Sequence, residues 1–146
     1  MREIVFRGQT RKFGEKIRVG DSKPLPGKWA YGGICWGEGC YSIIYGSTDF
    51  SSLKDKHVVY TDTVGQYTGL NDKNGQKIFE GDILTIDTLD QVDDGERFEV
   101  YWRADCYLFS AKSKHFEYDL WQLHQEEIKV IGSIWDNPDL KESAHE

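Results

Sequence analysis

Short alternations of apolar and polar residues, punctuated by glycine, run along most of the chain and predict strands over helices. Arg2–Arg7 puts Ile4 and Phe6 on one face and Val5 on the other, with its arginines outward. Lys28–Trp36 and Cys40–Tyr45 predict an antiparallel pair about Gly37-Glu38-Gly39, and His57–Tyr60 and Thr63–Thr68 continue the series. Further on, Phe98, Val100 and Trp102 alternate with Glu99, Tyr101 and Arg103, and Cys106–Ala111 is the hairpin partner across Ala104-Asp105. Glu127–Trp135 is a final strand with both faces apolar; Pro138 ends it, because proline cannot donate to a ladder and restricts the residue before it. Phe116–Leu123 fits either period, since Phe116, Leu120 and Leu123 share a helix face while Phe116, Tyr118 and Leu120 share a strand face; a short helix is favoured here. Gly8–Gly27 predicts a polar loop or a weak hairpin through Lys16-Ile17-Arg18-Val19, Gly46–Lys56 a polar loop with a helical turn at Phe50–Lys54, and Asp87–Glu96 an acidic one.

Turn chemistry and strand pattern agree best over Val64–Ile86, VGQYTGLNDKNGQKIFEGDILTI. Asp72-Lys73-Asn74-Gly75 suits a type I turn closed by a left-handed glycine, with Asp72 bonding the turn's own amides. A two-residue turn on Asn74-Gly75 competes, and its register would exchange the two faces. The pattern as a whole predicts a mainly β, β-rich α+β fold with few short helices. Residues 1–77 form an N-terminal β lobe, and it packs on a C-terminal small barrel, SH3-like in strand order, over residues 78–146; one compact domain would also accommodate both.

Composition narrows the functional classes. The 146 residues include twenty Trp, Tyr and Phe against three Pro and fifteen Gly, which suits strands and tight turns. Neither a signal core after Met1–Ile4 nor an apolar run of membrane-spanning length is present, so a soluble cytoplasmic protein is expected. Net charge is −7, but residues 1–28 hold eight Lys/Arg and three Asp/Glu, whereas residues 29–146 hold ten and twenty-two. That asymmetry either builds two oppositely charged surfaces or is neutralised across the fold.

Candidate chemistry is sparse. Glu80 and Asp82, at i and i+2 around Gly81, could face a metal or act as an acid–base pair, although an aspartate beside a turn glycine more simply caps backbone amides. Tyr67, in Tyr67-Thr68-Gly69, could line a ligand site or simply belong to the core. Lys73 at the hairpin tip faces solvent, and one lysine does not make a phosphate site. Together Tyr67, Asp72, Lys73, Glu80 and Asp82 form the candidate interaction surface. Cys35 and Cys40 flank a tight turn and could form a disulfide or half a metal knuckle. With Cys106, His57, His115, His124 and His145 they show no convincing zinc spacing, so free thiols and no metal are expected. No GxSxG, P-loop, HExxH, paired CxxC or deaminase signature occurs, and neither a catalytic residue nor a cofactor is assigned.

Three blocks in order, REIVFRG at Arg2–Gly8, VGQYTGLNDKNGQKIFEGDIL at Val64–Leu84 and EIKVIGSIWDNPDL at Glu127–Leu140, resemble the YopX family, and GKWAYGG at Gly27–Gly33 looks like a fourth. The resemblance implies a β-rich fold and an origin in a phage or prophage of bacteria. It brings no catalytic residues with it.

The leading expectation is therefore a non-enzymatic phage or prophage accessory protein, a module that binds a phage or host protein through a strand edge, the acidic loop or an aromatic patch. One alternative is a small β-barrel nucleic-acid binder using Arg7, Arg11, Lys12, Lys16 and Arg18, against which stands a pI near 5.1. Another is an acidic nucleic-acid mimic that occupies a basic host protein. A homo-oligomer is compatible with all three.

Overall fold

The computed structural model describes residues 4–10, 29–37, 39–45, 56–87, 96–137 and 139–140. The loop predicted within Gly8–Gly27 beyond residue 10, the helical turn at Phe50–Lys54 and most of the acidic loop lie outside those residues. The described chain is mainly β, as the alternation predicts, and all its strand pairing is antiparallel. It divides into two compact units, Met1–Gln66 and Tyr67–Glu146, so the Asp72 hairpin falls in the second.

In the first unit β1 (Phe6–Gln9) pairs with β2 (Trp29–Cys35), β2 with β3 (Tyr41–Tyr45), and β3 with β4 (Lys56–Tyr60). An isolated bridge from Thr10 to Val59 brings β1 back to β4, so the four strands close on themselves. Gly8 permits this approach, because a Cβ there would lie 2.8 Å from Val59 Cγ2. Ala30, Ile44 and Val59 form the enclosed core, with Phe6, Ile34 and Val64 packed against it. Arg7 corrects the expectation of outward arginines. It is 5% exposed, and its guanidinium sits 4.2 Å from the centroid of the Trp29 ring, a cation–π contact. The cause is its place in the ladder, paired to Tyr31 on one side and Gly65 on the other.

In the second unit the remainder of β5 (Gly65–Asn71) pairs with β6 (Lys77–Phe79). Next come β7 (Asp82–Ile86), β8 (Phe98–Arg103), β9 (Leu108–Lys112), β10 (Glu117–Asp119) and β11 (Ile128–Ser133). Their order is β10-β9-β8-β7-β11, a four-strand meander from β7 to β10 with a fifth strand, β11, returning beside β7. Ile78, Leu84, Phe98, Val100, Leu120 and Ile128 lie at the centre of the core.

Three sequence expectations need correction here. The helix favoured at Phe116–Leu123 is a strand followed by a single 3-10 turn at Leu120–Gln122. Pairing of Tyr118 with Ala111 satisfies the backbone, and Leu120 still reaches the core, which is why both periods fit the sequence. The partner strand expected from Cys106 begins at Leu108, opposite Arg103, leaving a four-residue turn at Ala104–Tyr107. The last strand is shorter than expected, and an irregularity between Val130 and Gly132 breaks its alternation.

Candidate functional site

The Asp72 loop has the geometry its residue types dictate. Gly75 N–H donates to Asp72 O at 3.0 Å, Gly75 takes φ +80°, and Asp72 N–H donates to Gln76 O at 2.9 Å. That is the type I turn closed by a left-handed glycine, and it excludes the two-residue alternative. The Asp72 carboxylate is wholly buried; Oδ1 accepts the N–H groups of Asn74 and Gln76, each at 2.9 Å, and Oδ2 accepts the Val130 N–H at 3.0 Å. Beside it, Lys73 N–H donates to Ile128 O at 2.9 Å, and Gln125 Nε2 donates to Asp72 O at 3.0 Å. The hairpin tip thus occupies the edge of β11 that β7 leaves open, which would otherwise present unpaired backbone groups.

The other four candidate residues divide by burial. Asp82 is buried, and its Oδ2 accepts the Phe79 N–H at 2.8 Å, the capping role that the sequence offered as the simpler one. Glu80 and Gly81, the latter at φ +86°, make the turn between them, so Glu80 and Asp82 do not share the face of an extended segment. Tyr67 is buried against Phe79, with ring centroids 5.6 Å apart, and its hydroxyl bonds Asn71 Oδ1. Lys73 reaches solvent and pairs with Asp87 at 2.7 Å. Three of the five side chains are interior, so the set forms no common surface. A shallow depression does open beside Tyr67, at the bulge around Gly69 (φ +89°), lined by Leu70, Asn71, Leu123, Gln125 and Ile128.

Large exposed side chains gather elsewhere in this unit, at the β8–β9 end of the sheet. Trp102 is 42% exposed and packs edge-on against Phe109 at 4.9 Å. Tyr107, in the turn, is 81% exposed and holds φ +54°, a left-handed conformation that non-glycine residues adopt at a cost. Trp121 is 67% exposed in the 3-10 turn after β10; since Asp119 pairs with Ser110, the chain passes Phe109 and Leu108 there. Trp102 continues the apolar face of FEVYW, but it stands next to the last residue of β8, where that face nears the end of the sheet. Ala104-Asp105 lacks the residue types that a two-residue hairpin turn favours, and the turn extends to Tyr107.

The opposite face of this end is charged. Arg103 pairs with Asp105 at 3.0 Å, Glu117 at 3.7 Å and Asp119 at 3.8 Å. Its hydrogen bond holds the Asp105 carboxyl below the ordinary value. The Tyr101 hydroxyl donates to Glu117, and burial together with that carboxylate pushes the phenol up to about 12.

Cys35, Cys40 and Cys106 are exposed free thiols. Among the described residues no three His, Cys, Asp or Glu side chains gather as metal ligands, and no helix is long and apolar enough to cross a membrane.

A family profile described as YopX protein matches residues 28–142. The chain is also similar to the crystal structure of protein EF1440 from Enterococcus faecalis, at 23% identity and TM-score 0.47, covering 94% of this chain and 97% of that one. No curated protein matches.

Proposed function

The chain belongs to the YopX family, and from that premise we propose that it acts as a non-enzymatic protein-interaction module, an accessory protein of a phage or prophage that works in the bacterial cytoplasm. The observation behind this reading is the large exposed area of Trp102, Tyr107 and Trp121, the first two at the β8–β9 turn and the third in the 3-10 turn that follows β10. Aromatic side chains of this kind are the usual anchors of protein interfaces, because they bury much surface for little lost rotamer freedom. The buried carboxylates support the same reading: Asp72 and Asp82 are engaged by backbone N–H groups and serve the fold. The strand order of this unit, a meander, a 3-10 turn and a return beside the first strand, supports grouping it with small SH3-like barrels.

Affinity capture from a bacterial lysate tests the proposal, with the wild-type chain compared to a folded variant carrying Trp102→Ala, Tyr107→Ala and Trp121→Ala. The wild type should retain a protein that the variant loses. Equal retention by both, or turnover of a nucleotide or nucleic acid by the purified chain, would contradict it. A gel shift that weakens steeply with salt would instead favour the nucleic-acid reading.

A further inference from the structure

We infer that the outer edge of β10 accepts an added antiparallel strand from a basic partner, one with Lys or Arg at alternate positions, an inference that rests on the interaction-module reading. The two edges of the five-stranded sheet are treated differently. On β11 the Asp72 carboxylate and the Lys73 amide occupy the open side, whereas among the described residues no strand pairs with the outer side of β10.

Register determines which groups face outward there. Ser113 N–H donates to Phe116 O at 2.8 Å, which makes that pair a hydrogen-bonded one. Antiparallel pairs alternate, so Lys112–Glu117 is a non-bonded pair, Ala111–Tyr118 a bonded one and Ser110–Asp119 again non-bonded. The N–H and C=O groups of Glu117 and Asp119 therefore point away from β9, where an incoming strand would take them.

Charge selects the occupant. The side chains of Glu117 and Asp119 share a face with Arg103 and Lys112, and with Asp105 and Glu99 they set four carboxylates against two cations. Cations at alternate positions of an added strand would lie beside Glu117 and Asp119 as favourable cross-strand pairs. A second copy of this chain, paired antiparallel about Tyr118, would instead set Glu117 against Asp119. Trp121, two residues beyond the strand, offers an aromatic face to a further arginine.

The test uses the full chain and three acetylated hexapeptides: alternating Arg-Val, the same composition in two blocks, and the alternating peptide N-methylated along one edge. The alternating peptide should slow amide exchange at Glu117 and Asp119 and bind at least about tenfold more tightly than either control, the range that a few cross-strand pairs and ladder bonds supply. Glu117→Lys with Asp119→Lys should abolish the preference, and the milder pair Glu117→Gln and Asp119→Asn should weaken it while leaving the fold intact. Equal binding of the N-methylated peptide, protection at other amides, or self-association that protects β10 would each overturn the inference. If the aromatic variant loses its captured partner while the β10 charge variants keep it, the edge inference fails and the interaction-module reading stands.

Discussion

Val130 donates its N–H to Asp72 Oδ2 at 3.0 Å across 58 residues of sequence, so the carboxylate that shapes the β5–β6 turn also caps the edge of the last strand. The most distinctive stretch of the sequence is thus a fastening within the second unit. Its glycines and aspartates are explained by the turn, the bulge and the cap before any ligand is invoked.

Asp72→Ala should destabilise the protein by about 3 kcal/mol, since three backbone N–H donors lose a buried charged acceptor at once. Asp72→Asn should also destabilise, because an amide cannot accept on both sides. Denaturant unfolding measures the loss, and amide exchange should show the Val130 N–H newly exposed. Unchanged exchange at Val130 would contradict the capping role.

Gly75→Ala should cost roughly 1 kcal/mol, all of it from the left-handed backbone, since no atom lies within 4 Å of where the new Cβ would stand. Gly75→Asn should cost less, because asparagine tolerates that conformation. A larger loss for asparagine than for alanine, measured by thermal unfolding, would point to a steric cause and against the turn described.

Tyr107→Gly should raise stability by about 1 kcal/mol, through relief of its left-handed φ. The same change should weaken capture of the partner. A tyrosine kept at a position that suits glycine is explained if its exposed ring is an anchor, and a substitution that leaves both stability and capture unchanged would remove that explanation.

Tyr101 supplies a pH test. Its phenol is raised from 10.0 to about 12, so the stability it contributes is fully present below pH 10 and is lost as pH rises through 12. Ultraviolet titration should place its ionisation well above the ordinary tyrosine value of 10.0. Glu117→Gln should bring it part of the way back, burial accounting for the remainder.

Local chemistry explains what the sequence made legible. Asp72 and Gly75 specify their turn through bonds within five residues, and Phe98 and Val100 specify a core face by strict alternation. What escaped depends on distant neighbours. Arg7 reads as a surface arginine until strands on both sides and the Trp29 ring enclose it. Phe116–Leu123 fits two periods, and only its pairing with β9 decides between them. Burial escapes the sequence for the same reason: Tyr67 and Asp82 look available in a turn-rich stretch, but packing turns them inward, while Trp121 is left exposed by a 3-10 turn with no strong local signal.

The most direct measurement is paired capture with the wild-type chain and the Trp102→Ala, Tyr107→Ala, Trp121→Ala variant, each first shown by amide exchange to keep its β7 and β8 protection. An interaction module anchored at the β8–β9 end predicts a protein retained by the wild type and lost by the variant. The same protein retained by both chains would contradict it.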